Sequence, residues 1–154
     1  VALFLRTRSP VTVPSSVVVT GPYGDVKAYS ERDFYVSWYR PGLLAEGAGL
    51  APPPVPRLTA EDRRRLQAEM LGELGRIVRP VGQLAAAAEQ VRVNGGWVFA
   101  LGRGPLDDRR STVHRRDRFG IRRRGGYFSV DTGKYSTGPW LALRVADAIL
   151  PPAR

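Results

Sequence analysis

Apolar residues recur along this chain with two periods, and each period predicts a kind of element. Alternation at every second position marks strands. It is clearest at Phe34–Arg40, where Phe34, Val36 and Trp38 face one way and Tyr35, Ser37 and Tyr39 the other. Both sets are bulky, so this strand is expected to be covered on both sides. Residues 2–6 and 11–19 also read as strands, the second β-branched but interrupted by Pro10 and Pro14, which suits an edge or a bulge. Gly21-Pro22-Tyr23-Gly24-Asp25 reads as a turn or kink, residues 26–29 as extended, and Glu31-Arg32-Asp33 as a polar tip, so that 17–40 forms a long hairpin.

Helical spacing takes over after Thr59. Leu66, Met70, Leu74, Ile77 and Val78 share one face, Thr59 is a good N-cap, Glu61 and Asp62 suit the first turn, Glu61 and Arg65 are spaced to pair, and Pro80 ends the helix. Residues 82–90 read as a second, Ala-rich helix, Asn94-Gly95-Gly96 as a turn and Trp97–Leu101 as a buried strand. Tyr127–Val130 reads as a strand. Residues 131–139 form a polar turn, and Trp140–Leu150 is a closing helix with Ala142, Val145, Ala146 and Ile149 on one face. Between Gly42 and Pro56 lies a loop whose Pro52-Pro53-Pro54 run acts as a semi-rigid spacer. The order of elements predicts an α+β fold: an antiparallel sheet with two packed helices, then a closing strand–turn–helix.

Composition narrows the chemistry. The 154 residues contain no Cys and one His, His114. Disulfides, cysteine nucleophiles and thiolate metal sites are excluded, and one chain cannot supply a two-His metal site. No apolar run approaches the 18 residues of a membrane span, and no signal-peptide pattern is visible, so the cytoplasm is the expected location. Net charge is +10, and every basic residue except Lys27 and Lys134 is Arg. Residues 102–126 hold nine Arg against three Asp, in a Gly-rich stretch that reads mostly as loop with room for one short strand near 119–122. That cluster has three readings: a solvated loop, a site for an anionic substrate or cofactor phosphate, and a nucleic-acid contact. The third ranks last, because the cluster is loop-bound and no helix-turn-helix, aromatic RNA-binding pattern or zinc module accompanies it.

The strongest local signal for chemistry is the strand, Gly/Ser/Thr/Lys turn and helix at 126–150. A helix N-terminus offers free N–H groups and positive potential. Gly133 and Gly138 permit close approach, Lys134 adds a charge, Ser136 and Thr137 add hydroxyls, Thr137 can cap, and Pro139 suits the first turn. The bland alternative is a well-capped terminal helix with a surface lysine. The spacing does not meet the Walker pattern, so ATP hydrolysis is disfavoured.

Gly126-Tyr127-Phe128-Ser129-Val130-Asp131-Thr132-Gly133-Lys134-Tyr135-Ser136-Thr137-Gly138-Pro139-Trp140-Leu141-Ala142 resembles the C-terminal flavin-contacting segment of FAD-dependent oxidoreductases of the D-amino-acid oxidase and glycerol-3-phosphate dehydrogenase type. Those proteins carry a strand, Gly-Gly-Lys-x-Thr-Thr and a helix. Here a single Gly133 follows Asp131-Thr132, and Ser136 takes the first Thr position. Ser111–Asp117 resembles the stretch upstream of that segment, and Gly21–Val26 with Phe34–Tyr39 resembles a substrate-domain hairpin. The resemblance implies a partial two-domain flavoprotein that lacks its N-terminal Rossmann part, since no Gly-x-Gly-x-x-Gly fingerprint is present. Residues 1–104 would belong to the substrate domain and 105–154 to the FAD-binding domain. Gly133, Lys134, Ser136 and Thr137 would contact FAD, His114 would act as base, and Arg116 and Trp38 would face a small amine- or hydroxyl-bearing substrate that passes hydride to flavin. The partner would be the missing FAD-binding half, on the same or another chain, and the start at Val1 without Met fits a fragment. A basic Arg-rich nucleic-acid-binding module is the rival class, and a catalytically inert accessory subunit is a third.

Overall fold

A computed structural model describes residues 1–19, 23–47, 49, 51–98, 102–105, 108, 110–113, 119–132 and 135–150. The chain divides into two compact units. One comprises Val1–Phe99 and Pro105–Arg110, the other Ala100–Gly104 and Ser111–Arg154.

The first unit is α+β. Its five-stranded sheet has the order β2-β3-β4-β1-β5, every neighbouring pair antiparallel. The strands are β1 (Ala2–Thr7), β2 (Ser16–Val18), β3 (Gly24–Ala28), β4 (Asp33–Trp38) and β5 (Ala88–Asn94). A short helix, α1 (Tyr39–Gly42), follows β4. Then come α2 (Ala60–Ile77), a 3-10 turn at Arg79–Val81 and α3 (Gly82–Ala87). The inward set of the alternation, Leu3, Leu5, Val26, Phe34, Val36 and Trp38, joins Leu66, Met70, Leu71, Leu74, Val81 and Leu84 in one core. Helices therefore cover one face of the sheet, as the period-2 pattern of an antiparallel sheet with one packed side requires.

Several local expectations are corrected. The 11–19 stretch is a strand only at Ser16–Val18, because Pro10 and Pro14 remove ladder donors upstream. The expected helix 82–90 stops at Ala87, and Ala88–Asn94 pairs with β1. The Ala run carries helix propensity, but the Val91-Arg92-Val93 alternation matches β1 and tertiary pairing wins. Trp97 and Val98 are exposed coil and not part of a buried strand; residues 99–101 lie outside the described residues. On α2, Leu71 is buried while Ile77 is exposed, and Asp62 rather than Glu61 pairs with Arg65, at 3.0 Å. The outward face of β4 carries no second full layer of packing: Tyr35 is half-buried, and its neighbour Phe4 on β1 is exposed.

The second unit contains a two-stranded antiparallel ribbon, β6 (Gly120–Arg124) and β7 (Tyr127–Asp131). A 3-10 turn at Tyr135–Thr137 leads into α4 (Gly138–Ile149). The expected apolar face of α4 shifts by one position: Leu141 is buried and Val145 half-buried, whereas Ala142, Ala146 and Ile149 are exposed. No helix among the described residues is long and apolar enough to cross a membrane.

Candidate functional site

The turn before α4 forms as a strand, a 3-10 turn and a helix in sequence order. Ser136 is exposed, and Thr137 is half-buried in the N-cap position. The Thr137 side chain does not cap α4. Its hydroxyl donates instead to the carbonyl of Thr132, tying the turn back to the end of β7. Pro139 occupies the first turn, where its missing N–H costs nothing. The first N–H groups of α4 consequently receive no side-chain acceptor from the N-cap residue. Gly133 and Lys134 lie outside the described residues, as do His114 and Arg116.

Trp38 sits in the core of the first unit, 1% exposed. Its indole N–H donates to the carboxylate of Glu73 on α2. Its ring lies against Gly24, the residue directly across the ladder. These contacts give Trp38 a packing role and make it a docking point for α2.

Two surfaces gather side chains that a ligand could use. One is the ribbon. Antiparallel register sets Arg122 opposite Ser129 and Arg124 opposite Tyr127, and alternation puts these four on one face. Ile121, Arg123, Phe128 and Val130 share the other face, where the Arg123 guanidinium lies 5.2 Å from the Phe128 ring centroid and its Nε donates to the Gly125 carbonyl. Among the described residues the side chains of Arg122 and Arg124 make no ion pair or hydrogen bond, and both residues are exposed. Gly125 turns the ribbon at φ +60, a backbone state that glycine adopts without strain. The unit around the ribbon carries ten basic against three acidic residues, a net +7 of the chain's +10. Three of the nine clustered arginines thus stand on the short strand that the sequence allows near 119–122, so these three are not loop-bound.

The other surface is the outward face of the five-stranded sheet. A shallow depression of about 270 Å³ there is lined by Phe4, Arg6, Tyr29, Asp33, Gln90 and Arg92, with Leu5 and Phe34 at its floor. Arg6 and Asp33 pair across β1 and β4 at 2.8 Å. The hydrogen bond from Ser30, followed by the charges of Arg6 and Arg32, holds the Asp33 carboxyl below its usual range. Burial, with Asp25 adding to it, pushes the Tyr35 phenol above its usual range, so the ring stays neutral at physiological pH. Sequence reasoning missed this surface, although the outward positions of the 2–6 and 34–40 alternations carried the signal.

No protein-family model, curated protein or solved structure is significantly similar to this chain.

Proposed function

We propose that this chain is a nucleic-acid-binding module that meets a phosphate backbone with the β6–β7 ribbon. One observation carries the reading: Arg122 and Arg124 are exposed, unpaired among the described residues and aligned on one ribbon face beside Tyr127. Residues two apart on a strand stand about 6.6 Å from one another. Two guanidiniums at that separation can each form a bidentate pair with successive phosphates. Two-stranded ribbons are an established shape for nucleic-acid contact, and the surrounding charge steers a polyanion toward this unit.

The test is binding of a labelled oligonucleotide across 50–200 mM salt. Each phosphate neutralised adds roughly 0.7 to the log–log salt slope for a single strand and about 0.9 for duplex DNA. The expected result is a shallower slope in the double variant Arg122→Ala/Arg124→Ala. The control Arg64→Ala/Arg76→Ala, on exposed positions of α2, removes the same charge and is expected to leave the slope in place. No binding at the lowest salt, or equal loss in both double variants, overturns the ribbon contact.

A second reading is supported by the segment leading into α4. There the chain would be the C-terminal part of an FAD-dependent oxidoreductase, with Gly133, Lys134, Ser136 and Thr137 toward the flavin and His114, Arg116 and Trp38 toward the substrate. The start of α4, whose N-cap residue gives no side-chain cap bond, fits an electron-rich ring edge, because the positive end of a helix stabilises negative charge. The flavin would supply hydride acceptance; Lys134 and the helix end would favour the reduced, negative ring. A protein joining this segment to an FAD-binding half would be yellow and this chain alone colourless. A joined protein that stays colourless after FAD is added overturns that reading.

A further inference from the structure

One row crosses the outward face of the sheet. Lys27 on β3 stands opposite Tyr35 on β4, Tyr35 opposite Phe4 on β1, and Phe4 opposite Arg92 on β5. Four adjacent strands therefore present cation, ring, ring, cation in a line spanning roughly 14 Å at the usual strand spacing. The two rings meet edge to face with centroids 5.2 Å apart, and the Lys27 ammonium lies 6.0 Å from the Tyr35 centroid. Phe4 remains 38% exposed, so part of a ring face is left for a ligand. Among the described residues the Arg92 side chain makes no ion pair or hydrogen bond. The acids on this face are already engaged: Asp33 by Arg6 and Ser30, and Asp25 by the Ser37 hydroxyl.

We infer that the Lys27–Tyr35–Phe4–Arg92 row is a stacking platform for unpaired bases of a single-stranded nucleic acid. The inference rests on the reading of this chain as a nucleic-acid binder and specifies which form it takes. A base offers a π-face to an exposed ring, and each nucleotide brings a phosphate to a flanking cation. The depression beside Phe4 is shallow, and the exposed part of the Phe4 ring gives it one flat apolar surface for a planar ring. A duplex keeps its base faces inside the stack, so an exposed ring on a sheet face discriminates against it.

The experiment compares a twelve-nucleotide oligo-U with an RNA hairpin of equal charge, using the whole chain and Phe4→Leu. Leucine keeps apolar cover on the sheet and removes the ring face. The expected result is tighter binding of oligo-U than of the hairpin. Phe4→Leu should weaken oligo-U by about tenfold with an unchanged salt slope, because stacking releases no counterions. Its effect on the hairpin should be small. Equal oligo-U affinity in Phe4→Leu and the native chain overturns the platform. If Arg122→Ala/Arg124→Ala still flattens the slope in that case, the ribbon reading survives alone. Loss of oligo-U binding in Phe4→Leu with no slope change in the ribbon variant fails the ribbon and keeps the platform. Should Phe4→Leu not fold, Lys27→Ala/Arg92→Ala replaces it. A slope lowered by about 1.4, two single-strand phosphates, supports the platform and an unchanged slope overturns it.

Discussion

The indole N–H of Trp38, at the end of β4, donates to the carboxylate of Glu73 on α2, from a ring that is 1% exposed. This bond satisfies a donor that would otherwise be buried without a partner, and it fixes where α2 crosses the sheet. Glu73→Ala leaves that donor unmet and is expected to cost about 1–3 kcal/mol. Glu73→Gln keeps an acceptor at the same reach and should lose less. Urea unfolding of the two variants, read from the midpoint at constant m, checks the order; equal losses would assign the effect to packing of the side-chain stem.

Gly24 faces Trp38 across the β3–β4 ladder, and a β-carbon there would run into the Ser37 carbonyl and the Trp38 ring. Neither can retreat: one is ladder backbone and the other a packed indole. Gly24→Ala is therefore expected to destabilise by about 1–3 kcal/mol, the range for overpacking a filled site. A red shift of Trp fluorescence at low denaturant would accompany it. A variant as stable as the native chain would show that the β3–β4 pair separates at little cost.

How legible these features were in sequence depends on the distance over which they are set. Phe34, Val36 and Trp38 declare an inward face by local alternation, and the core contains all three. Thr59 and Asp62 declare a helix start through neighbours three residues apart, and the capping box forms. The start of β5 was hidden because Ala85–Ala88 favours a helix locally, while the partner that makes 88–94 a strand is β1, some 80 residues away. The sequence leaves room for one short strand near 119–122, and β6 forms at Gly120–Arg124; what carries it on to Arg123 and Arg124 is the cross-strand register with Tyr127–Asp131, which no local pattern shows. The Lys27–Tyr35–Phe4–Arg92 row draws on four strands, so no window of sequence contains it. The resemblance at 126–142 covers the turn but not the burial of Trp38, which its pairing with Gly24 and Glu73 decides.

The start of α2 predicts a pH dependence. The Thr59 hydroxyl accepts from the Asp62 N–H at 3.1 Å, and the Asp62 carboxylate accepts from the Thr59 N–H at 3.0 Å. Hydrogen bonds from the Thr59 side chain and backbone, then the Arg65 charge, hold the Asp62 carboxyl below its ordinary value of 3.8. A carboxyl lowered in the folded state binds fewer protons than in the unfolded chain, so its contribution is complete above that ordinary value. It is lost as pH falls through the folded value. Asp33, lowered by Ser30 and Arg6, acts in the same direction. Melting temperatures taken from pH 6 to pH 2 should fall less steeply below pH 4 in Asp62→Asn than in the native chain. Thr59→Ala, which removes the N-cap acceptor, is expected to cost about 1 kcal/mol at neutral pH.

Charge and shape at the ribbon can be separated by replacing arginine with lysine. Arg122→Lys/Arg124→Lys keeps both positive charges on the same ribbon face, so counterion release is preserved and the salt slope should not change. What lysine lacks is the planar fork that grips one phosphate with two parallel hydrogen bonds. Affinity for an oligonucleotide should therefore fall several-fold at every salt concentration, as a parallel displacement of the line. Arg122→Ala/Arg124→Ala should instead rotate the line. Coincident lines for native and lysine variants would mean the ribbon acts as a field of positive potential. Rotation by the lysine variant would mean that binding depends on the ribbon's conformation and not on its charges, because no charge has been removed.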